Sequence, residues 1–164
     1  MAEKLADIEA RGLALVRIMA GGVVLYYGIQ KLAPGFALSL PGTLASFAMN
    51  NPHAHYRAFL MDVAVPHAGL FAAIVLLGEL LVGACLILGL ATGLVGPIAA
   101  LMFANYYLAT GHLSDADAWG NLTMAGVTLV CGMCYAGCTW GVDGMLRRTM
   151  PLRALYPLGL APWR

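Results

Sequence analysis

Residues 68–90, AGLFAAIVLLGELLVGACLILGL, decide how the rest of the chain is read. Twenty-two of these twenty-three residues are uncharged and mostly apolar, and the exception is Glu79 near the middle. As a helix rising ~1.5 Å per residue, the run covers the ~30 Å hydrocarbon core of a bilayer. A carboxylate at that depth is costly. By default it faces the bundle interior and has a partner there.

Working outward, the whole composition agrees with a lipid solvent. Of the 164 residues, 61% are hydrophobic and only 10% charged, whereas ordinary globular chains carry about a quarter charged. So few charges cannot cover a water-facing surface. The expectation is one integral membrane domain over residues 1–164. The net charge of +1, with no basic patch, argues against nucleic acid as a partner. The opening MAEKLADIEAR has three acids and no apolar core, so it reads as a retained cytoplasmic lead-in and not as a signal peptide.

Three further segments match the first in kind: residues 12–32, 93–109 and 119–140. The expected fold is therefore an all-α, four-helix membrane bundle. Gly89–Gly93 makes a tight turn between the second and third spans. Ser114 with Asp117 three residues later reads as a capping box for the fourth. About thirty residues separate the first two spans, with room for short interfacial helices over 43–49 and 55–63. A connection of that length packs as a lid or carries function. Lys4 and Arg11 precede the first span, and Arg147, Arg148, Arg153 and Arg164 follow the last. The positive-inside rule then puts both ends in the cytoplasm, as in a bacterial or archaeal inner membrane protein. Small residues at Gly21-Gly22 with Gly28, Gly78 with Gly83, Gly132 with Ala136, and Gly137 with Gly141 read as close-packing positions between helices.

The polar residues inside the spans are few enough to weigh singly. Glu79 needs a cation, and both Arg17, at a depth about 9 Å nearer the cytoplasm, and Lys31, near the outer end of the first span, are candidates. Such a pair is either a packing device that fixes helix register or a proton or quinone-head-group site. Tyr27, Asn105 and Thr128 fall at comparable depth and extend this to a polar midplane patch. His53, His55, His67 and His112 all fall on the predicted outer side, where with nearby Asp62, Asp115 or Asp117 they are candidates for a divalent metal or for accepting a proton. Cys131, Cys134 and Cys138 repeat at i, i+3, i+7 as one helical stripe; a redox or metal role competes with simple apolar filling. Any disulfide among the cysteines would join Cys85 to Cys138.

Several of these residues also carry a resemblance. Arg17-x10-Gly28-x2-Lys31, Glu79-x3-Gly83 followed by Leu88-Gly89-Leu90-Ala91-Thr92-Gly93, and Gly141-Val142-Asp143 with Arg147 together resemble the DoxX-like family of small four-helix membrane proteins. That family includes the small subunits of thiosulfate:quinone oxidoreductases. The resemblance spans nearly the whole chain and points to Arg17, Lys31, Glu79 and Asp143 as its polar positions. It implies a membrane subunit in a quinone-linked electron-transfer system, with other membrane subunits as partners. The sharp reading places a quinone head group among Tyr27, Glu79 and Asn105, with Glu79 exchanging a proton and Arg17 holding its charge. The competing reading is a non-catalytic accessory subunit of a larger respiratory or photosynthetic complex. A bound metal or pigment stays open, and a small-solute transporter finds less support because no internal repeat is present.

Overall fold

A computed structural model describes residues 2–148 and 156–158, with side chains from residue 5 onward. Of the basic residues used for orientation, the Lys4 side chain, Arg153 and Arg164 lie outside the described residues. Among the described residues the chain is helical throughout. It runs α1 (Ala2–Gln30), α2 (Phe36–Ala48), α3 (Ala54–Phe59) continuing into one π-helical turn (Leu60–Ala64), α4 (Ala68–Leu88), α5 (Thr92–Thr110), α6 (Asp115–Met133), a 3₁₀ turn (Ala136–Cys138) and α7 (Val142–Leu146).

α1, α4 and α5 are each long and apolar enough to cross a membrane. Their outward faces leave Met19, Leu70, Leu81 and Leu101 largely exposed. That exposure is ruinous in water but costs nothing against lipid tails. α6 equals α5 in length at 19 residues. It is the more polar of the two, opening on Asp115 and Asp117 with Ser114 as its cap: the Ser114 hydroxyl accepts the Asp117 N–H at 3.1 Å. The Ser114 cap is present, but the reciprocal half of the expected capping box is not formed: Asp117 Oδ2 accepts the Ser114 hydroxyl and not its backbone N–H. The expected extent of the segment is not met either: the helix stops at Met133 instead of reaching 140, because Tyr135 takes a left-handed conformation and a 3₁₀ turn follows.

Two helix pairs make the body, α1 along α4 and α5 along α6. Without a hydrophobic drive between helices in lipid, backbone proximity supplies the contact, and the glycines show where. A Cβ on Gly83 would sit 2.6 Å from the Leu25 nitrogen, and one on Gly21 would sit 2.8 Å from the Ile87 nitrogen. The α5–α6 crossing rests on Gly96 against Gly132, with the Pro97 ring beside Gly132. Gly22 has open space and Gly78 only a distant Met102 sulfur, so these two expected packing positions are not used that way. Between the pairs, Val24, Val82, Leu86, Ala99 and Phe103 form the core.

The connection between α1 and α4 is a cap with its own small core, Ala48, Leu60 and Ala64 packed with Phe47, Tyr56 and Phe71. α2 begins at Phe36, seven residues before the expected 43, because Pro41 is accommodated inside it. Asn51, 2% exposed, pins the cap to α5: its amide donates to Leu108 C=O at 2.9 Å, and its Oδ1 accepts the His53 N–H at 3.0 Å.

Candidate functional site

Glu79 lies on the buried face of α4, opposite the last turn of α1. Gly28 makes this possible, since a Cβ there would meet the Glu79 Cβ at 3.1 Å. With α1 so close, Lys31, just past its end, folds back over the carboxylate. The Lys31 Nζ stands 2.6 Å from Oε2 and 2.9 Å from Oε1. From α5 the Tyr106 hydroxyl donates to Oε1 at 2.9 Å. The carboxylate side chain is 4% exposed and the lysine 24%, so the lysine is the more accessible member. Its ammonium also stands 5.8 Å from the Tyr27 ring centroid and 5.9 Å from that of Phe36, within cation–π range.

This cluster is the wall between two cavities. One, about 380 Å³, lies beside α6 and is lined by Tyr27, Lys31, Glu79, Tyr106, Asp117 and Asn121 among others. The second, about 320 Å³, lies under the cap; Phe36, Phe47, Phe59 and Phe71 line it, with Tyr56 and Asn105 beside Lys31, Glu79 and Tyr106. The Tyr56 hydroxyl donates to Asn105 Oδ1 at 2.9 Å and contacts its backbone oxygen at 3.2 Å. Burial pushes the Tyr56 phenol up, which keeps it protonated as a donor.

Lys31 and Glu79 line both cavities, whereas Asn105 lines only the one under the cap and Tyr27, half exposed, only the one beside α6, so Tyr27, Glu79 and Asn105 do not share one cavity. Arg17 lines neither. Fourteen residues of helix separate Arg17 from Lys31, about 21 Å along the axis. Fully buried, the Arg17 guanidinium donates to Ala136 C=O at 3.2 Å and Trp140 C=O at 3.1 Å. The expectation that Arg17 holds the charge of Glu79 is corrected on this geometry: Lys31 does so, and Arg17 satisfies carbonyls left unpaired where α6 gives way to the 3₁₀ turn. Thr128 also stands apart, its hydroxyl back-bonded to Met124 C=O at 2.8 Å on its own helix.

Asp143 works at the same end as Arg17. Ala91 precedes α5 without a side-chain cap of its own, and Asp143 supplies one from fifty residues away. Its Oδ1 accepts the Ala91 N–H at 2.7 Å and its Oδ2 the Thr92 N–H at 2.9 Å, with the carboxylate at the positive end of the helix. The Tyr156 hydroxyl donates to the same Oδ2 at 2.8 Å and accepts the Gly137 N–H at 3.0 Å. Gly89 and Gly141 leave room for the Arg17 guanidinium between them.

The remaining candidates disperse. Among the described residues no group of three or more His, Cys, Asp or Glu side chains is placed to hold a metal ion, so His53, His55, His67 and His112 do not form the expected centre. His67 Nδ1 lies 2.9 Å from Val63 C=O, and both ring nitrogens of His112 are shielded without a hydrogen-bond partner. Cys85, Cys131, Cys134 and Cys138 are all free thiols. The expected Cys stripe is broken because Cys134 ends α6 and Cys138 belongs to the 3₁₀ turn.

Sequence reasoning missed Tyr106, Tyr56 and Asn121. Tyr106 adjoins the Asn105 that was singled out, and its signal is a phenol hydroxyl inside an apolar span. Tyr56 and Asn121 carry no such signal, being ordinary at a cap and in the second turn of a helix.

No curated protein and no solved structure matches the chain. Residues 12–155 match the family model described as "TQO small subunit DoxD", which spans every element that builds the Lys31–Glu79 site. The three long apolar helices and this match make the chain an integral membrane protein, and it belongs to the DoxD family.

Proposed function

We propose that the chain is the membrane subunit of a quinone-linked oxidoreductase of the thiosulfate:quinone type, with its quinone site at the Lys31–Glu79–Tyr106 cluster. One observation carries this reading. A buried carboxylate with two hydrogen-bonding partners closes one end of an aromatic-lined cavity of about 320 Å³, a size and lining suited to a ring with an apolar tail.

When bound, a quinone supplies a two-electron, two-proton acceptor whose carbonyl oxygens need donors. The Lys31 Nζ and the side-chain amide of Asn105, whose Oδ1 is held by the Tyr56 hydroxyl, are the donors this chain offers along the cavity. Phe36, Phe47, Phe59 and Phe71 hold the ring and exclude bulk water. Glu79, a carboxylate at rest, takes up a proton at Oε1 or Oε2 during turnover and passes it on, while Tyr106 fixes the carboxylate's orientation. Electrons arrive from a partner subunit, which also meets the sulfur compound. α6 serves as a fourth span, so that both chain ends and the Arg147-Arg148 pair lie in the cytoplasm of a bacterial or archaeal cell.

A second reading, a non-catalytic accessory subunit, is favoured by the completeness of the Glu79 hydrogen bonding and by the tight Gly28 contact, which suit a pin between α1 and α4. Glu79→Gln separates the two. In the complex purified through this chain from its native membrane, quinone-analogue reduction is expected to fall by at least about a hundredfold, the lower range for a lost acid–base group, with subunit composition intact. Unchanged turnover in an intact complex leaves the accessory reading.

A further inference from the structure

We infer that the cavity beside α6 is the aqueous proton route to Glu79, entered at Asp117, and that it is separate from the apolar cavity under the cap. The inference rests on the quinone reading above and adds to it the side from which protons come.

The Glu79 carboxylate is the end of the route. Its side chain is 4% exposed, yet it lines both cavities. A proton does not travel through an aromatic-lined, apolar space, because hydrated charge loses its solvation there. It needs waters, and each water needs two to four polar partners. The cap-side cavity has few of these along its Phe36–Phe47–Phe59–Phe71 wall. The other carries polar groups among its apolar ones, including the ionisable Asp117: Asp117 and Asn121 on α6, Tyr106 on α5, and Tyr27 and Lys31 at the end of α1. At about 30 Å³ per water, 380 Å³ accommodates on the order of ten.

Asn121 is held at the junction. Its amide donates to the Thr110 hydroxyl at 3.2 Å, which donates to Tyr106 C=O at 3.0 Å; the hydroxyl of that same tyrosine reaches Glu79. Asn121 lines both spaces. Asp117 stands one helical turn earlier, exposed, in the first turn of α6. Its carboxylate is anchored to the Ser114 hydroxyl at 2.5 Å.

The titratable groups facing Glu79 are thus Tyr27 and Lys31 from α1 and its end, Tyr106 from α5, Asp117 from α6, and Tyr56 from α3 across the cap-side cavity. None of the residues lining either cavity on α2 is titratable. Each O–H bond broken at Glu79, when its proton leaves for the acceptor's oxygen, is remade by a proton arriving from water along this route. No electron moves along it.

The test reads water before it reads turnover. In full-length protein with Cys85, Cys131, Cys134 and Cys138 replaced by alanine, Asn121→Cys is compared with Leu122→Cys, an exposed apolar position that lines neither cavity. A charged, membrane-impermeant methanethiosulfonate is applied to the face bearing the Ser114–Asp117 turn. A thiol reacts as thiolate, which forms in water and not in lipid. Asn121→Cys is expected to label at least about tenfold faster, and equal rates overturn the route even where Glu79→Gln abolishes turnover. As a second measurement with all cysteines present, Asp117→Asn in the intact complex is expected to lose turnover progressively toward alkaline pH, and Asp117→Glu to restore it. An Asp117→Asn profile that superimposes on the wild type overturns the assignment of Asp117. Fast labelling of Asn121→Cys together with full turnover of Glu79→Gln overturns both the route and the quinone reading.

Discussion

Lys31→Met isolates the ion pair on which the site depends. An exposed pair contributes ~0–1 kcal/mol, whereas removing one partner of a buried pair costs ~3–5 kcal/mol, because the other charge is left without compensation. This pair lies between those limits, with the carboxylate side chain 4% exposed and the lysine 24%. Tyr106 still donates to Oε1 in the variant. Discounting for both, the expected loss is ~2–3 kcal/mol, which for a chain of this size lowers the unfolding temperature by ~4–12 °C. The second substitution makes the experiment decisive. In Lys31→Met/Glu79→Gln no charge remains buried at this site, and about half of the loss should return as a coupling of ~1–2 kcal/mol. Thermal unfolding in mild detergent can be followed with a thiol-reactive fluorophore, since Cys131 is 1% exposed until the bundle opens. A Lys31→Met protein as stable as the wild type, or a double variant no better than the single one, would show that the pair is solvated and that Glu79 has no need of Lys31.

Two further outcomes follow from the packing and from the Asp143–Tyr156 cluster. Gly83→Ala drives a Cβ to 2.6 Å from the Leu25 nitrogen, an overpacking against backbone worth ~1–3 kcal/mol, while Gly22→Ala on the open side of α1 should stay within ~0.5 kcal/mol; equal unfolding temperatures for the two would refute the α1–α4 contact. Burial and the bond to Asp143 push the Tyr156 phenol up, so the folded chain keeps a proton that the unfolded chain releases near pH 10. Stability from this group is therefore level below about pH 10 and falls as pH rises past it. Tyr156→Phe should lose ~1–3 kcal/mol at neutral pH, with the gap to wild type narrowing toward alkaline pH. A gap that stays constant across the titration would refute the Asp143–Tyr156 linkage.

How much of this was legible beforehand differs from residue to residue. α4 was read to within two residues because composition alone specifies a lipid-crossing helix around a single acid. α5 and the Ser114 cap of α6 were legible for local reasons, a turn of glycines and a side chain that bonds its own backbone. The end of α6 was not, since the apolar pattern continues to Trp140 while the backbone turns at Tyr135. The reason for turning is distant: Arg17 donates to the Ala136 and Trp140 carbonyls, and the Tyr156 hydroxyl accepts the Gly137 N–H.

The candidate site divides in the same way. That Glu79 is buried and has a cation follows from its surroundings in sequence, because an unpaired carboxylate in hydrocarbon is too costly to keep. Which cation could not be read from depth. Arg17 and Lys31 both lie within side-chain reach of plausible positions along α1, and the choice turned on how closely α1 approaches α4 at Gly28 and on the fold-back after Gln30. Tyr106, Tyr56 and Asn121 belong to three different helices, and no local pattern announces that they converge. The sequence by itself determined the solvent, the long apolar helices and the presence of a paired acid, all consequences of transfer free energy summed over residues. Only the tertiary structure decided the partner, the two cavities on either side of it and the role of Arg17, because these depend on helix-to-helix distances of a few ångströms that separated stretches of chain set together.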